Sequence, residues 1–278
     1  MSSLALKDLE DLRRPVHPTL PTMYDLPSED IEDDRMPDDY HHHESVLLSE
    51  TFQPSTFPPD QVYTAQDLFI YYDSEHTRWH KSPDWFAVLG AARTYKDGEL
   101  RYSYVLWHEG LAPLIIIEFL SERTRKEDLG QTVRRKGKPP TKWEVYERIL
   151  RVPYYVVFSR AAERMRVFRL NSGSYTEVIG HGDRLWVPEA GLWLGVWRGV
   201  YQEWDRPWLR WYNAQGVLIP TNAERLEQER LRIEQERQRA DQERQRAEQS
   251  QIELARERER SERLAEMLRQ MGQDPDQI

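Results

Sequence analysis

The chain contains no cysteine, so it forms neither a disulfide framework nor a zinc site with thiolate ligands. No apolar run, including Leu114–Ile117, approaches the length needed to cross a bilayer. Met1–Glu10 lacks the basic stretch followed by an apolar stretch that a secretory signal requires. Together these absences predict a cytoplasmic protein that does not insert into membranes.

The chain also lacks an excess of basic residues. Its formal net charge is −9, and residues 1–50 alone account for −9, which leaves residues 51–278 close to neutral. Proteins that bind nucleic acid through its phosphates usually carry a basic excess. Any function on nucleic acid must therefore rest on a local site rather than on the charge of the whole chain.

Residues 1–61 are rich in proline and acidic side chains and have few large apolar residues at a helical or strand spacing. Such a segment buries too little apolar surface to offset its ordering entropy, so we expect a disordered acidic leader. His41, His42 and His43 lie within it. Three adjacent histidines without a scaffold make a weak metal site, and a solvated tract is the favoured interpretation.

Residues 62–220 contain the large apolar residues expected of one compact α/β domain. The run Pro83–Gly90 predicts a strand, and Pro113–Leu120 predicts a central strand buried on both faces because it is apolar almost throughout. Further expected elements are a short helix Ala65–Tyr72, a helix Thr141–Leu150, a strand Pro153–Phe158 and a hairpin of Arg166–Leu170 with Ser174–Ile179. This order predicts a mixed α/β fold.

Tryptophans crowd the end of this domain. They are Trp186, Trp193, Trp197, Trp204, Trp208 and Trp211. Aromatic rings can stack on nucleobases, but no stripe of lysine and arginine runs among these six. Packing within the core and between strands is therefore the favoured interpretation.

Residues 221–271 differ sharply from the domain before them, because residues 225–252 repeat with a period of seven. The repeat predicts a long charged helix. Leu226, Ile233 and Ala240 share one heptad position, whereas the position four residues later is mostly Arg or Gln. A tight coiled coil needs apolar residues at both positions. We expect a single charged helix or a weak coiled coil, which leaves a homodimer through residues 221–271 open, and a disordered tail at residues 272–278.

Two carboxylates accompany the predicted buried strands. Asp84 opens one strand, and Glu118 interrupts the most apolar run. A buried carboxylate is costly unless it pairs or binds a cation, and Mg²⁺ prefers one or two carboxylates with backbone oxygens and water. The carbonyl of Phe119 is a further candidate ligand. Lys142, at the start of the next helix, is a candidate to orient a water or to stabilise charge on a phosphate.

Each of these residues also has an ordinary structural explanation. Asp84 suits the cap of a turn after Pro83, Glu118 suits an ion pair with an arginine, and Lys142 suits a solvated helix start.

The order of the motifs carries more information than any one of them. The motifs are Pro83-Asp84 before a strand, Glu118-Phe119-Leu120-Ser121 with Thr124 close behind, Lys142-Trp143-Glu144-Val145-Tyr146, Val152-Pro153-Tyr154-Tyr155 and Leu209-Arg210-Trp211-Tyr212. In this order and spacing they resemble the Uma-two family of restriction endonucleases, within the PD-(D/E)XK nuclease superfamily. The resemblance covers about residues 62–250.

The resemblance implies a restriction-endonuclease-like fold, in which helices flank a mixed sheet, and metal-dependent cleavage of DNA with Mg²⁺ or Mn²⁺. Asp84, Glu118 and the carbonyl of Phe119 would bind the metal, and Lys142 would act as the superfamily lysine. The usual place of that lysine is occupied here by Leu120, which cannot serve.

Superfamily members often add an acidic residue from the first helix, and Asp67 is the candidate here. The alternative from another class of protein is a catalytically inactive scaffold that associates through its C-terminal helix. The lack of a basic excess favours that alternative.

Overall fold

The computed structural model describes residues 13–22, 24–26, 39–121, 123–178 and 183–271. The chain separates into two compact units, Met1–Thr221 and Asn222–Ile278. The predicted disordered tail, and residues 1–12 and 27–38 of the predicted leader, lie outside the described residues.

Strands are the main regular secondary structure of the first unit. In chain order they are β1 Val62–Gln66, β2 Ile70–Tyr71, β3 His80–Lys81, β4 Trp85–Leu89, β5 Tyr104–Val105, β6 Ile115–Phe119, β7 Tyr154–Ser159, β8 Arg164–Asn171, β9 Ser174–Val178, β10 Arg184–Val187, β11 Leu192–Tyr201 and β12 Trp204–Tyr212. The helices are α1 Asp39–Thr51, α2 Leu106–Glu109, α3 Arg125–Asp128, α4 Lys142–Glu144 and α5 Asn222–Gln270, and α4 continues as a π-helical turn over Val145–Ile149.

The main sheet has six strands in the order β1-β4-β6-β7-β8-β9. Strands β6 and β7 are parallel, and the other neighbours are antiparallel. Every residue of β6 and all but the last of β7 are buried, which confirms the predicted central strand and its neighbour. Two smaller sheets, β10-β11-β12 and β3-β2-β5, complete the unit. The predicted mixed α/β class is confirmed.

The hairpin of β8 and β9 is also confirmed. Its two-residue turn, Ser172 and Gly173, has positive φ angles of 49° and 86°. Positive φ at both turn residues matches the right-handed twist of the paired strands, so this turn joins neighbouring strands without splaying them.

Helix α1 overturns the prediction of a disordered leader for residues 39–51. Tyr40, Glu44, Leu47 and Leu48 are buried and recur at the spacing of one helix face. The ring of Tyr40 stacks on Trp208 of β12 with centroids 4.8 Å apart. This apolar stripe is short and lies among acidic residues and histidines, so composition alone gave the wrong prediction.

The predicted helix Ala65–Tyr72 is wrong as well. Its first residues belong to β1, which pairs with β4 along its whole length, and Asp67 lies in the following turn with a φ of 50°. Cross-strand pairing therefore decides the conformation here, against the local helical pattern.

Among the tryptophans, Trp208 and Trp211 are fully buried, and Trp186 packs against Trp193 across β10 and β11 at 5.0 Å. This agrees with the packing interpretation. In the second unit, α5 is one continuous helix of 49 residues, which confirms the predicted long charged helix. No helix in the described part of the chain has the length and apolarity to span a membrane.

Candidate active site

The main sheet brings Asp84 and Glu118 together at one end of the neighbouring strands β4 and β6. Trp85 pairs with Ile117 in the antiparallel register of β4 and β6, and one further step places Asp84 opposite Glu118. Directly opposed residues of an antiparallel pair share a face, with Cβ atoms about 5 Å apart. One carboxylate oxygen of Asp84 accepts the N–H of Phe119, which fixes the aspartate against β6.

Pro83 affects the same edge. The register places it opposite Phe119, and proline has no N–H to donate to the Phe119 carbonyl. The carbonyl of Pro83 instead accepts the N–H of Asp67 at 3.1 Å. The backbone hydrogen bonds between β4 and β6 therefore end beside the two carboxylates, and β4 provides no main-chain donor for the Phe119 oxygen.

Lys142 lies against Glu118, as the sequence-based hypothesis requires. Its Nζ donates to Glu118 Oε2 at 2.8 Å, and the hydroxyl of Tyr146 donates to Glu118 Oε1 at 2.8 Å. A capping box of Thr141 and Glu144 begins the helix, which places Lys142 at its first position. Lysine and tyrosine four residues apart lie on one side of this helix, so together they hold both oxygens of Glu118.

Asp128 completes the cluster and was not predicted. Its side chain is about as buried as that of Glu118, and its Oδ1 accepts from Lys142 Nζ at 3.0 Å. Its Oδ2 has no hydrogen-bond partner among the residues that the structure describes. Three carboxylates, those of Asp84, Glu118 and Asp128, therefore surround one buried ammonium group.

A second lysine lies at the side of this cluster. Lys81 of β3 is 3.4 Å from Glu127 Oε1, an atom that also accepts the N–H of Lys142. Burial lowers the pKa of Lys81, and the charge of Lys142 adds to this effect, whereas Glu127 and Glu118 oppose it. Lys81 is therefore a half-buried cation beside the carboxylates.

The pKa shifts in this cluster follow from burial first and from the excess of negative charge second. Burial raises the pKa of Glu118 to about 8 against the opposing charge of Lys142, and the carboxylates of Asp84 and Asp128 add to the rise. Burial likewise raises the pKa of Asp84 to about 6. Burial lowers the pKa of Lys142, but Glu118, Asp128 and Asp84 outweigh it and raise the pKa well above its ordinary value. The cluster thus favours an additional cation.

These residues fit a divalent cation. A buried oxygen of Asp128 has no donor among the described residues, and two carboxylates, those of Glu118 and Asp128, bond to the one ammonium group of Lys142. Within the described residues, no three His, Asp or Glu side chains are grouped as ligands for one ion. An ion held by Asp84 and Glu118 therefore needs backbone and water oxygens as well, and Mg²⁺ commonly accepts such a set.

Asp67 does not lie on a helix, but it lies close enough to Asp84 for its charge to raise the pKa of Asp84. The buried acid of helix α1 is Glu44, and it does not join this cluster. Its Oε1 accepts the N–H of Leu209 in β12 at 2.7 Å. The histidines of α1 pack on aromatic rings, with His41 against Phe119 at 5.4 Å.

The domain thus carries opposed carboxylates and a lysine at one end of the strands of a mixed sheet. A comparison with protein families identifies it further. The model of the Uma2 family, described as "Putative restriction endonuclease", matches residues 12–200, which is more than half of the chain. The chain belongs to this family, and its membership supports a nuclease function.

Solved structures and curated proteins add little. A crystal structure from Anabaena variabilis, described as a putative nuclease belonging to DUF820, is 15% identical with a TM-score of 0.36. The match covers 56% of this chain and 76% of that chain. No curated protein matches this chain.

Proposed function

We propose that this chain is a metal-dependent endonuclease that hydrolyses phosphodiester bonds in DNA. The observation that carries the proposal is the placement of Asp84 opposite Glu118 on adjacent strands, with Lys142 bonded to Glu118. Membership of the family supports the reaction class.

The residues of the cluster have separable roles in this proposal. Asp84, Glu118 and the carbonyl of Phe119 would hold a Mg²⁺ or Mn²⁺ ion, which would supply Lewis-acid chemistry toward a phosphate and a water. Lys142 and Tyr146 fix both oxygens of Glu118, so this carboxylate keeps one orientation. Lys81 reaches the side of the cluster and supplies positive charge for a phosphate oxygen.

The test is cleavage of supercoiled plasmid by the purified chain with Mg²⁺ or Mn²⁺. Asp84→Asn should abolish nicking, because it removes one ligand charge while it keeps the shape of the side chain. Asp60→Asn is the matched control, because Asp60 is exposed and lies beyond the far end of β1 and β4. Equal nicking by wild type and Asp84→Asn, or none by any of the three proteins, would reject the proposal.

A second candidate function is association through residues 221–271, as a homodimer. It is supported by exposed apolar side chains at one heptad position of α5, Leu226, Ile233 and Leu254. Light scattering of the full chain should then give twice the chain mass of 33.3 kDa, and Ile233→Glu should return it to one chain. A single-chain mass for the wild type would reject the dimer and leave the nuclease proposal untouched.

A further inference from the structure

A cavity of about 420 Å³ lies at the end of the main sheet where β6 and β7 finish. It is lined by Asp39, Tyr40, Arg160, Trp204 and Arg206. These residues come from α1, from the end of β7 and from β12, so the cavity is formed by the tertiary fold and not by one loop. Its volume falls in the range of small-ligand sites and greatly exceeds what a single inorganic anion needs.

The cavity is where cationic and aromatic groups converge. The guanidinium of Arg160 lies 4.9 Å from the ring centroid of Tyr40, and both Arg160 and Arg206 act electrostatically on the Tyr40 hydroxyl. Arginine binds phosphate through several N–H donors in one plane. Trp204 is half-buried and supplies a ring of the kind on which nucleobases stack.

The cavity and the carboxylate cluster lie at the same end of the strands of the main sheet. Phe119 pairs with Phe158 in the parallel ladder of β6 and β7, so Arg160 follows β7 at the same end where Glu118 and Phe119 lie. Across this end, His41 of α1 contacts the ring of Phe119 at 5.4 Å. Asp84 and Glu118 therefore lie at the same end of the central strands as Arg160 and the contact between His41 and Phe119.

We infer that this cavity binds one unpaired nucleotide of a DNA strand, with its phosphate on Arg160 and Arg206 and its base on Trp204. The inference rests on the proposed function, because it gives the strand a position beside the cluster. It also explains how a chain whose residues 51–278 are close to neutral can bind DNA, because the positive charge that contacts the phosphate is local. Asp39 is the acidic residue in the lining and opposes the phosphate.

The test measures binding apart from cleavage. A fluorescein-labelled single-stranded oligonucleotide of twelve nucleotides is titrated with full-length protein in EDTA, and anisotropy is read across a range of salt concentrations. Arg160→Ala with Arg206→Ala should weaken binding about 10-fold and reduce the salt slope by about 0.7, because the two arginines neutralise one phosphate and each phosphate contact on a single strand contributes roughly 0.7.

Further variants separate the charge from the stacking. Trp204→Ala should weaken binding at least about 5-fold with the salt slope unchanged, since stacking on an aromatic ring does not release counterions. Asp39→Asn should tighten binding a few-fold. The matched control is Arg93→Ala with Lys96→Ala, which removes two exposed charges beyond the far end of β4. Circular dichroism checks that each variant is folded.

The outcomes distinguish this inference from the proposed function. Unchanged affinity and salt slope in the double arginine variant, or no binding by the wild type, overturns the cavity assignment even if plasmid is cleaved. An equal loss in the Arg93 and Lys96 control also overturns it. If no plasmid is cleaved but binding depends on Arg160, Arg206 and Trp204, the nucleotide site stands and the nuclease assignment falls.

Discussion

Glu118 on β6 and Glu44 on α1 are both fully buried, and burial raises the pKa of each to about 8. Their partners differ. Glu118 accepts from Lys142 and Tyr146 and lies opposite Asp84. Glu44 accepts from the N–H of Leu209, and its Oε2 has no hydrogen-bond partner within the described part of the chain.

The comparison shows that a buried acid with a raised pKa does not by itself mark an active site. At Glu44 burial raises the pKa, and the interactions with the Leu209 N–H and with Tyr40, both neutral groups, oppose the rise. At Glu118 burial is again the largest cause, but the carboxylates of Asp84 and Asp128 add to the rise in pKa and the charge of Lys142 opposes it. Glu118, unlike Glu44, therefore lies among several charged groups, as residues of active sites commonly do. The contrast predicts that the two glutamates respond differently to the same substitution.

The largest expected effect is on cleavage. Glu118→Gln should reduce the rate of plasmid nicking by at least about 10³-fold, because it removes a ligand charge from the site. Glu44→Gln should leave the rate within about threefold, because Leu209 keeps its acceptor. Initial rates are compared at saturating Mg²⁺ and at saturating Mn²⁺. Comparable losses in both variants would show that the distinction between the two acids is false.

The next largest effect is on stability and tests the charge balance around Glu118. Lys142→Met removes the ammonium group that Glu118 and Asp128 share, and breaking a buried ion pair from one side costs about 3–5 kcal/mol. Urea unfolding should show this loss, and millimolar Mg²⁺ should restore more stability to the variant than to wild type.

Lys126→Met is the matched control, because Lys126 is an exposed lysine on α3 near the same cluster. Its unfolding free energy should stay within about 0.5 kcal/mol of wild type. A Lys142→Met protein as stable as this control would mean that the carboxylates do not depend on the lysine.

The sequence predicted Glu118 because an acid within an apolar β-branched run is costly to bury unless it pairs or binds a cation. It predicted Asp84 because Pro83 and Asp84 open the neighbouring strand. Lys142 was identified chiefly through the resemblance to a family. The two strands were confirmed because continuous apolar runs report burial directly.

Other residues of these sites depend on packing that local sequence does not show. Asp128 lies in a charged stretch where nothing distinguishes one acid from the next, and its burial comes from the packing of α3 and its neighbours. Glu44 was missed although Tyr40, Leu47 and Leu48 carry a helical spacing, because the surrounding composition favoured disorder. Lys81 reaches the site only because β3 pairs with β2.

The third prediction concerns pH and the buried charge of Glu44. Its pKa is about 8 in the folded chain and near its ordinary value of 4.5 when unfolded, so the folded state holds a proton that the unfolded state releases. Stability from this group is present below about pH 4.5 and is lost as pH rises toward 8. Glu44→Gln should therefore gain on the order of a few kcal/mol relative to wild type across that window.

The measurement is the unfolding free energy from urea titrations at several pH values between 5 and 9. Glu253→Gln, an exposed substitution on α5, supplies the control curve, which should run parallel to wild type. A Glu44→Gln curve that also runs parallel to wild type would mean that Glu44 is not protonated in the folded state.

The smallest expected effect separates the two glutamates through their tyrosine neighbours. Tyr146 donates to Glu118 at 2.8 Å, whereas the hydroxyl of Tyr40, one helical turn from Glu44, donates to the carbonyl of Pro207 at 2.7 Å. Tyr146→Phe removes one hydrogen bond to a carboxylate, worth roughly 1.5–3 kcal/mol, and frees Glu118 to rotate. We expect kcat for plasmid nicking to fall about 10-fold with KM nearly unchanged. Tyr40→Phe should leave kcat at saturating plasmid within about twofold, because Tyr40 lines the proposed nucleotide cavity and a loss of DNA binding there raises KM instead. Because each substitution deletes one buried tyrosine hydroxyl, equal changes in kcat would mean that Tyr146 contributes only to folding and does not orient Glu118.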